Sequence, residues 1–339
     1  MFFLTTIKQI SELAGFSTST VSIVLRGAAK ERSIPPDTCR KIREAAAKLN
    51  YQPNIEARSL RDQSNTGAIT IAFYWAQDFR ASMMIRFMAG LNNRLAELGE
   101  TVKLIVVPYN PGELENDTRL SKQSYYHAAI ICNADNKDMA FLNSNKLSIP
   151  LVLYNRRSPL YDHVYIENEK LGRLAAGVFA KHGKKHPAIL NAPIAFMGMK
   201  LRCDGFIAAW EKLGISVSNQ FTNNNNCQSG YDGMKKLLKA KTRPDCLFCA
   251  SDMVAIGALR CLHQNNVKVP EDMEIISVGN GDIQLDEYAW PSIATVLIPM
   301  EEMAGKCISL LLERIKKPYA PLRAVKNKIK FIPRESCGK

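Results

Sequence analysis

Over the first fifty residues apolar positions recur at helical spacing, with little strand-like alternation. Thr6 is placed to cap a helix over 7–14 that carries Ile7, Ile10, Leu13 and Ala14 on one face, and Gly15 ends it. Ser17 begins a second helix reaching about Arg26, with Val21, Val24 and Leu25 turned inward, and Gly27 stops it. A basic loop from Ala28 to Ser33 leads to Pro35-Pro36, which suits a first helical turn. The third helix runs to Leu49 on a stripe of Ile42, Ala45, Ala46 and Leu49. A short segment, Pro53 to Arg61, precedes the polar run Asp62 to Gly67, the clearest domain boundary in the chain.

Beyond Gly67 the period changes. Apolar runs at 68–75, 102–107, 128–132, 149–154, 187–191, 246–250 and 274–279 alternate with helical stretches near 82–98, 168–182, 200–213, 230–240, 252–266 and 300–316. Buried strands alternating with amphipathic helices predict a doubly wound, parallel α/β architecture. The length is generous for one sheet, so two similar lobes with a cleft between them are expected.

Charge and cysteine refine this picture. The net charge of +13 admits a polyanionic partner. It is not concentrated, however: residues 1–65 carry a net +4 and residues 66–339 a net +9. Charge alone therefore does not locate a nucleic-acid site. Nine cysteines, an odd number, and an opening Met1-Phe2-Phe3-Leu4 without a basic lead or cleavage site predict a reduced, cytoplasmic protein. No apolar run approaches a membrane span.

Two short helices joined by a Gly-containing turn make a helix-turn-helix, whose second helix enters the major groove of DNA. That helix would open on Ser17, Thr18, Ser19, Thr20, Val21 and Ser22, a hydroxyl-rich turn able to bond phosphates and base edges. A small three-helix bundle without a DNA role has the same pattern.

The run from Thr6 to Ser22, then Leu49-Asn50-Tyr51-Gln52-Pro53-Asn54 and Ala57-Arg58-Ser59-Leu60, resembles the headpiece of the lac repressor family. Arg202-Cys203-Asp204-Gly205-Phe206 is similar to that family's R-x-x-G-F turn, and Ala250-Ser251-Asp252 through Gly257 to its strand-to-helix junction. Pro333-Arg334-Glu335-Ser336 is similar to its closing strand. The resemblance implies an all-α helix-turn-helix headpiece over 1–52, a hinge over 53–65 and a two-lobed, periplasmic-binding-protein-like core over 66–339. The implied N-lobe is about 66–165 plus 296–322, and the C-lobe about 166–295 plus 323–339.

The resemblance also implies roles. Thr6, Lys8, Ser17, Thr18, Ser19, Thr20, Ser22, Arg26, Tyr51 and Asn54 would contact DNA, with Thr18 and Ser19 at the base-reading positions. The segment from Asn54 to Arg61 would become a hinge helix on DNA, wedging Leu60 into a minor-groove step beside Ala57. The implied protein is a regulator, a repressor by preference, that binds a near-palindromic operator as a homodimer under small-molecule control. Two departures point to an unusual operator: Ile23 replaces the family's commonest Arg, and Arg26 stands where Asn is usual. The loop from Gly27 to Ser33, with Lys30 and Arg32, is also longer than in the lac repressor.

Ligands in open α/β sheets bind at the carboxyl ends of strands. Phe73-Tyr74-Trp75 ends the first strand; Phe73 is expected inward, while Trp75 fits either the core or the cleft. Arg202 is expected to open a helix and hold hydroxyls or an anion, and Asp252 either caps a helix or binds ligand. Asn155 stands where the family usually has Asp. In Asn280-Gly281-Asp282 the effector carboxylate is lost at Gly281 or moved to Asp282. A sugar effector is expected, a nucleobase being the alternative, as is a binding protein without DNA regulation. No cofactor and no metal are expected.

Cys246 and Cys249 invite a metal or redox reading, but a spacing of three on a strand puts them on opposite faces. His182 and His186 are separated by Gly183, with Pro187 following, and so end a helix and begin a strand. No dinucleotide fingerprint, phosphate loop or nucleophile elbow is present, so an enzyme is not expected.

Overall fold

The computed structural model describes residues 6–25, 29, 32–49, 69–78, 83–121, 126–191, 197–279 and 281–338. The chain divides into two compact units, one ending at Gly67 and one beginning at Ala68.

The first unit holds helices α1 (Ile7–Ala14), α2 (Thr18–Leu25) and α3 (Pro36–Lys48). Ile10, Val21, Val24, Cys39, Ile42, Ala45 and Ala46 are buried together. Gly15 ends α1 with φ +73°, the left-handed region glycine enters without a Cβ penalty. Of the stripe expected on α1, Ile10 is fully covered, but Leu13 is 52% exposed. Helices this short cannot be shielded on every side.

The second unit contains two six-stranded sheets. The first, ordered β11-β5-β4-β3-β1-β2, is parallel throughout. It joins β1 (Ile69–Ala76), β2 (Val102–Tyr109), β3 (Ala128–Cys132), β4 (Leu151–Tyr154), β5 (Asp162–Ile166) and β11 (Ala324–Asn327). The second is ordered β12-β10-β9-β8-β6-β7. It joins β6 (Pro187–Asn191), β7 (Ser218–Phe221), β8 (Cys246–Cys249), β9 (Glu274–Gly279), β10 (Ala294–Leu297) and an antiparallel β12 (Lys330–Ile332).

Helices cover the sheets: α4 (Met84–Leu98), α5 (Asn136–Ser144), α6 (Asn168–Lys181), α7 (Met197–Glu211), α8 (Cys227–Leu237), α9 (Asp252–Gln264), α10 (Ile283–Glu287) and α11 (Met300–Lys316). Because both faces of each sheet are covered, the strands read as continuous apolar runs. Along β1, Ile71, Phe73 and Trp75 face one core cluster while Ala72, Tyr74 and Ala76 face another.

The chain crosses between the sheets after β5, after β10 and after β11. This corrects the expected lobe limits. Ala294–Leu297 lies wholly in the second sheet, and Ala324–Asn327, expected in the C-lobe, pairs in parallel with Asp162–Ile166 in the first. Burial of Asp162 draws the returning chain there: its carboxylate takes the Arg314 guanidinium at 2.8 and 3.0 Å and the Arg323 amide at 2.7 Å. Among the described residues no helix is long and apolar enough to cross a membrane.

Candidate nucleic-acid interface and effector cleft

Thr6 closes the start of α1 with a capping box: its hydroxyl accepts the Gln9 amide at 3.3 Å and its own amide donates to Gln9 Oε1 at 2.8 Å. Ser17 caps α2 from one side, its Oγ accepting the Thr20 amide at 3.1 Å and lying 2.9 Å from Thr20 Oγ1. Burial of Val21 and Val24 turns the opposite side of α2 outward, so Ser17, Thr18 and Ser19 are exposed, as are Thr6 and Lys8. Thr20, Ser22 and Ile23 are half-buried. The exposed first turn of α2 presents hydroxyls beside a helix N-terminus, where backbone N–H groups and the helix dipole favour anions. Arg26, Tyr51, Asn54, Ala57 and Leu60, with the expected hinge, lie outside the described residues.

In the second unit a cavity of about 410 Å³ lies beside the ends of β4 and β5 and the first turn of α7. Asn136, Asn143, Asn155, Arg157, Tyr165 and Arg173 are among its walls. Asn155 follows β4 at φ +51°, and its Oδ1 is buried with no hydrogen-bond partner among the described residues. The Arg157 guanidinium lies 4.1 Å over the Tyr165 ring. Lys170 and Lys326 hold the nearby Glu167 carboxylate down to about 2.

Arg202 sits inside α7, which begins no later than Met197, rather than at a helix opening. Its side chain is 5% exposed and donates from Nε to Asn168 Oδ1 at 2.8 Å. Asn168 lines the cavity, so Arg202 positions that wall from behind. The contact requires α6 and α7 to lie close. Glycines permit it: a Cβ at Gly172 would overlap the Arg202 carbonyl, and one at Gly205 the Glu169 carbonyl.

The cap expected of Asp252 belongs to Ser251, whose Oγ accepts the Val254 amide at 3.3 Å. Asp252 is 1% exposed and holds the turn after β9, accepting from Ser277 Oγ at 3.0 Å and the Gly281 amide at 2.7 Å. Asp282 is exposed and caps α10 through the Gln284 amide at 3.0 Å. Asn280 is outside the described residues. Trp75 packs in the core instead of walling the cleft. It is 3% exposed, with ring centroids 5.3 Å from Phe73 and 5.7 Å from Phe87.

Two residues escaped the sequence reading. Arg86 on α4 is bidentate on Glu301 at 2.6 and 2.7 Å and donates to the Gly281 carbonyl at 3.1 Å, joining the lobes. Asp286 is buried on α10, and its carboxyl is pushed up by burial and by the adjacent Asp252. Arg86 and Glu301 are 215 positions apart, and no local pattern connects them. Cys246 and Cys249 face different core clusters, as expected of a strand, and burial pushes both thiols up.

A three-helix unit with an exposed hydroxyl turn and a two-lobed α/β unit with a cleft are the two parts a ligand-regulated DNA-binding protein requires, and the comparisons with known proteins point to that class. Residues 6–54 match the model for bacterial regulatory proteins of the lacI family, and residues 176–337 that for a periplasmic binding protein-like domain. The crystal structure of a LacI family transcription regulator from Clostridium acetobutylicum is 34% identical and superposes with a TM-score of 0.75, over 78% of this chain and 99% of that one. The HTH-type transcriptional repressor PurR of Aliivibrio salmonicida is 26% identical over 98% of this chain and 99% of its own. The ribose operon repressor of Escherichia coli is 26% identical over 92% and 94%. The chain belongs to the lacI family of bacterial regulatory proteins and is a DNA-binding transcriptional regulator. Repressors of this family bind DNA operators and small-molecule effectors and are dimeric; these relatives are transcriptional repressors, not enzymes.

Proposed function

We propose that this chain is a homodimeric repressor that reads a near-palindromic operator with α2 and senses a polyhydroxylated small molecule, a sugar, in the second unit. The exposed run Ser17, Thr18, Ser19 carries the DNA-reading part. Thr18 and Ser19 meet base edges, while Thr6, Lys8, Ser17, Thr20, Ser22 and Arg26 meet phosphates or neighbouring bases. Tyr51, Asn54, Ala57 and Leu60 complete the interface, Leu60 as the minor-groove wedge. Ile23 offers no hydrogen bond to a base, so the operator differs from one read by a guanidinium at that position.

Asn155 Oδ1, without a partner among the described residues, is suited to accept from a ligand hydroxyl, and Arg157 and Asn168 supply further polar groups around the same cavity. Arg202 acts by fixing Asn168. The name of the ribose operon repressor supports a sugar. Asp252 and Asp282 serve the turn that faces Arg86, and Asn280 is kept as an effector contact on the family resemblance alone.

The second copy seats against the exposed apolar side chains of Leu285, Tyr288 and Trp290, of which Tyr288 is 81% and Trp290 89% exposed. Two headpieces related by a two-fold axis then read two half-sites.

The test is a panel of pentoses, hexoses, sugar acids and nucleobases added to the protein–operator complex at fixed salt. One class is expected to change operator affinity by about 5- to 150-fold, the usual range of allosteric coupling. A shift with nucleobases alone would replace the sugar reading.

A further inference from the structure

Far from the cleft, at the end of the second sheet where β9 begins, three side chains converge that no part of the regulatory reading uses. They are His182, which caps the C-terminus of α6, Glu274, which opens β9, and Cys337, in the last turn of the described chain. His182 Nδ1 lies 2.8 Å from Glu274 Oε2, Cys337 Sγ lies 3.3 Å from the same oxygen, and Sγ and Nδ1 are 4.0 Å apart. We propose that this triad is a binding site for a divalent transition-metal ion of the zinc type.

The geometry carries the proposal. A triangle with those three sides has a circumscribed radius of about 2.0 Å, and zinc bonds run about 2.0–2.2 Å to nitrogen and oxygen and about 2.3 Å to sulfur. An ion slightly out of the ligand plane therefore reaches all three atoms with little movement of the protein. The donor set is selective: a thiolate and an imidazole suit zinc, cobalt or nickel and disfavour magnesium and calcium.

Burial divides the roles. Cys337 is 0% exposed and the Glu274 side chain 8%, whereas the His182 side chain is 31% exposed. The imidazole edge is thus the entry path, and the fourth position of a tetrahedral ion faces solvent there. Lys184 Nζ, 3.6 Å from Glu274 Oε1, neutralises the oxygen the ion does not use.

On binding, the Cys337 thiol releases its proton to solvent, and the His182 proton resides on Nε2, leaving Nδ1 free to ligate. Two negative ligands then face a doubly charged ion, and affinity rises with pH as that proton becomes easier to lose. The ion would tie the end of α6, the start of β9 and the C-terminal turn together. Gly338 allows this closeness, since a Cβ there would already stand 3.3 Å from Glu274 Oε1.

The test is titration of the full-length, chelator-treated protein with Co²⁺, read by thiolate-to-cobalt charge-transfer absorption, with Zn²⁺ as competitor. One cobalt per chain is expected, displaced by zinc. Cys337→Ser should abolish the charge-transfer band, and His182→Gln should weaken binding at least tenfold while melting like the parent. No band at all, or a band retained in Cys337→Ser through one of the other eight thiols, would overturn the proposal. Should the buried serine variant fail to fold, the half-exposed His182→Gln decides alone, with unchanged affinity counting against the site.

Discussion

The Arg86 guanidinium donates to the Gly281 carbonyl at 3.1 Å, and this bond joins a helix of the first lobe to a turn of the second. Each partner is held from its own side, Arg86 by Glu301 and the Gly281 amide by the Asp252 carboxylate. In the mechanism proposed above, a ligand in the cleft changes the relative position of the two lobes, and this contact acts as a latch between them. A charge-assisted hydrogen bond contributes about 1.5–3 kcal/mol. Arg86→Met should therefore shift the lobe equilibrium by roughly 10- to 150-fold and alter effector affinity, read by calorimetry. Unchanged ligand affinity would remove the latch from the mechanism.

The raised carboxyl of Asp286 predicts that stability falls as pH rises from the ordinary carboxylate range toward about 8. Burial and the neighbouring Asp252 raise its carboxyl above the ordinary 3.8. A carboxyl raised in the folded state binds its proton more tightly there than when unfolded. Its contribution is fully favourable below the unfolded value and is lost as pH climbs through the folded one. Melting of the parent should fall more than that of Asp286→Asn between about pH 5 and about pH 8. An identical pH dependence in the two proteins would contradict this.

Gly205→Ala tests the seam that positions Arg202. The added methyl would overlap the Glu169 carbonyl, so α6 and α7 must separate. Overpacking of this kind costs about 1–3 kcal/mol. The melting temperature should drop, and the variant should also lose effector response as Asn168 moves. Arg202→Ala should lose the effector response while leaving operator binding intact; loss of operator binding from a folded variant would reverse that division of labour.

Trp290→Asp places a charge on the proposed dimer face. Sedimentation should show monomers at concentrations where the parent is dimeric, with operator binding weakened because one headpiece reads only one half-site. A stable dimer in this variant would move the interface elsewhere.

The sequence made the strongly apolar, centrally placed elements legible, because burial on both faces imposes continuous apolar runs. The strands β5, β7, β10 and β11 were not legible, and the closing strand expected at Pro333–Ser336 is instead β12 at Lys330–Ile332, with a tight helical turn over Glu335–Cys337. Ser218–Phe221 and Ala324–Asn327 are edge strands with polar residues, and Asp162-His163 opens β5 with a buried charge that only Arg314, 152 positions away, explains. Headpiece candidates were readable because capping is local: Thr6 and Ser17 meet partners three residues on. Cleft candidates were harder. Trp75, Asp252 and Arg202 were singled out by strand ends and motif positions, yet their partners Phe87, Gly281 and Asn168 come from distant segments. Even His182, singled out beside His186, takes its partners from Glu274 and Cys337 instead.

The most direct test of the account is fluorescence anisotropy of the protein on duplex DNA from its own promoter against a scrambled duplex, at one fixed salt concentration because such affinities vary steeply with salt. Parent protein should prefer the promoter by about 10³-fold or more, and Thr18→Ala with Ser19→Ala should reduce that preference by at least tenfold. Equal, weak binding to both duplexes, with and without the effector panel, would contradict a sequence-reading role for α2.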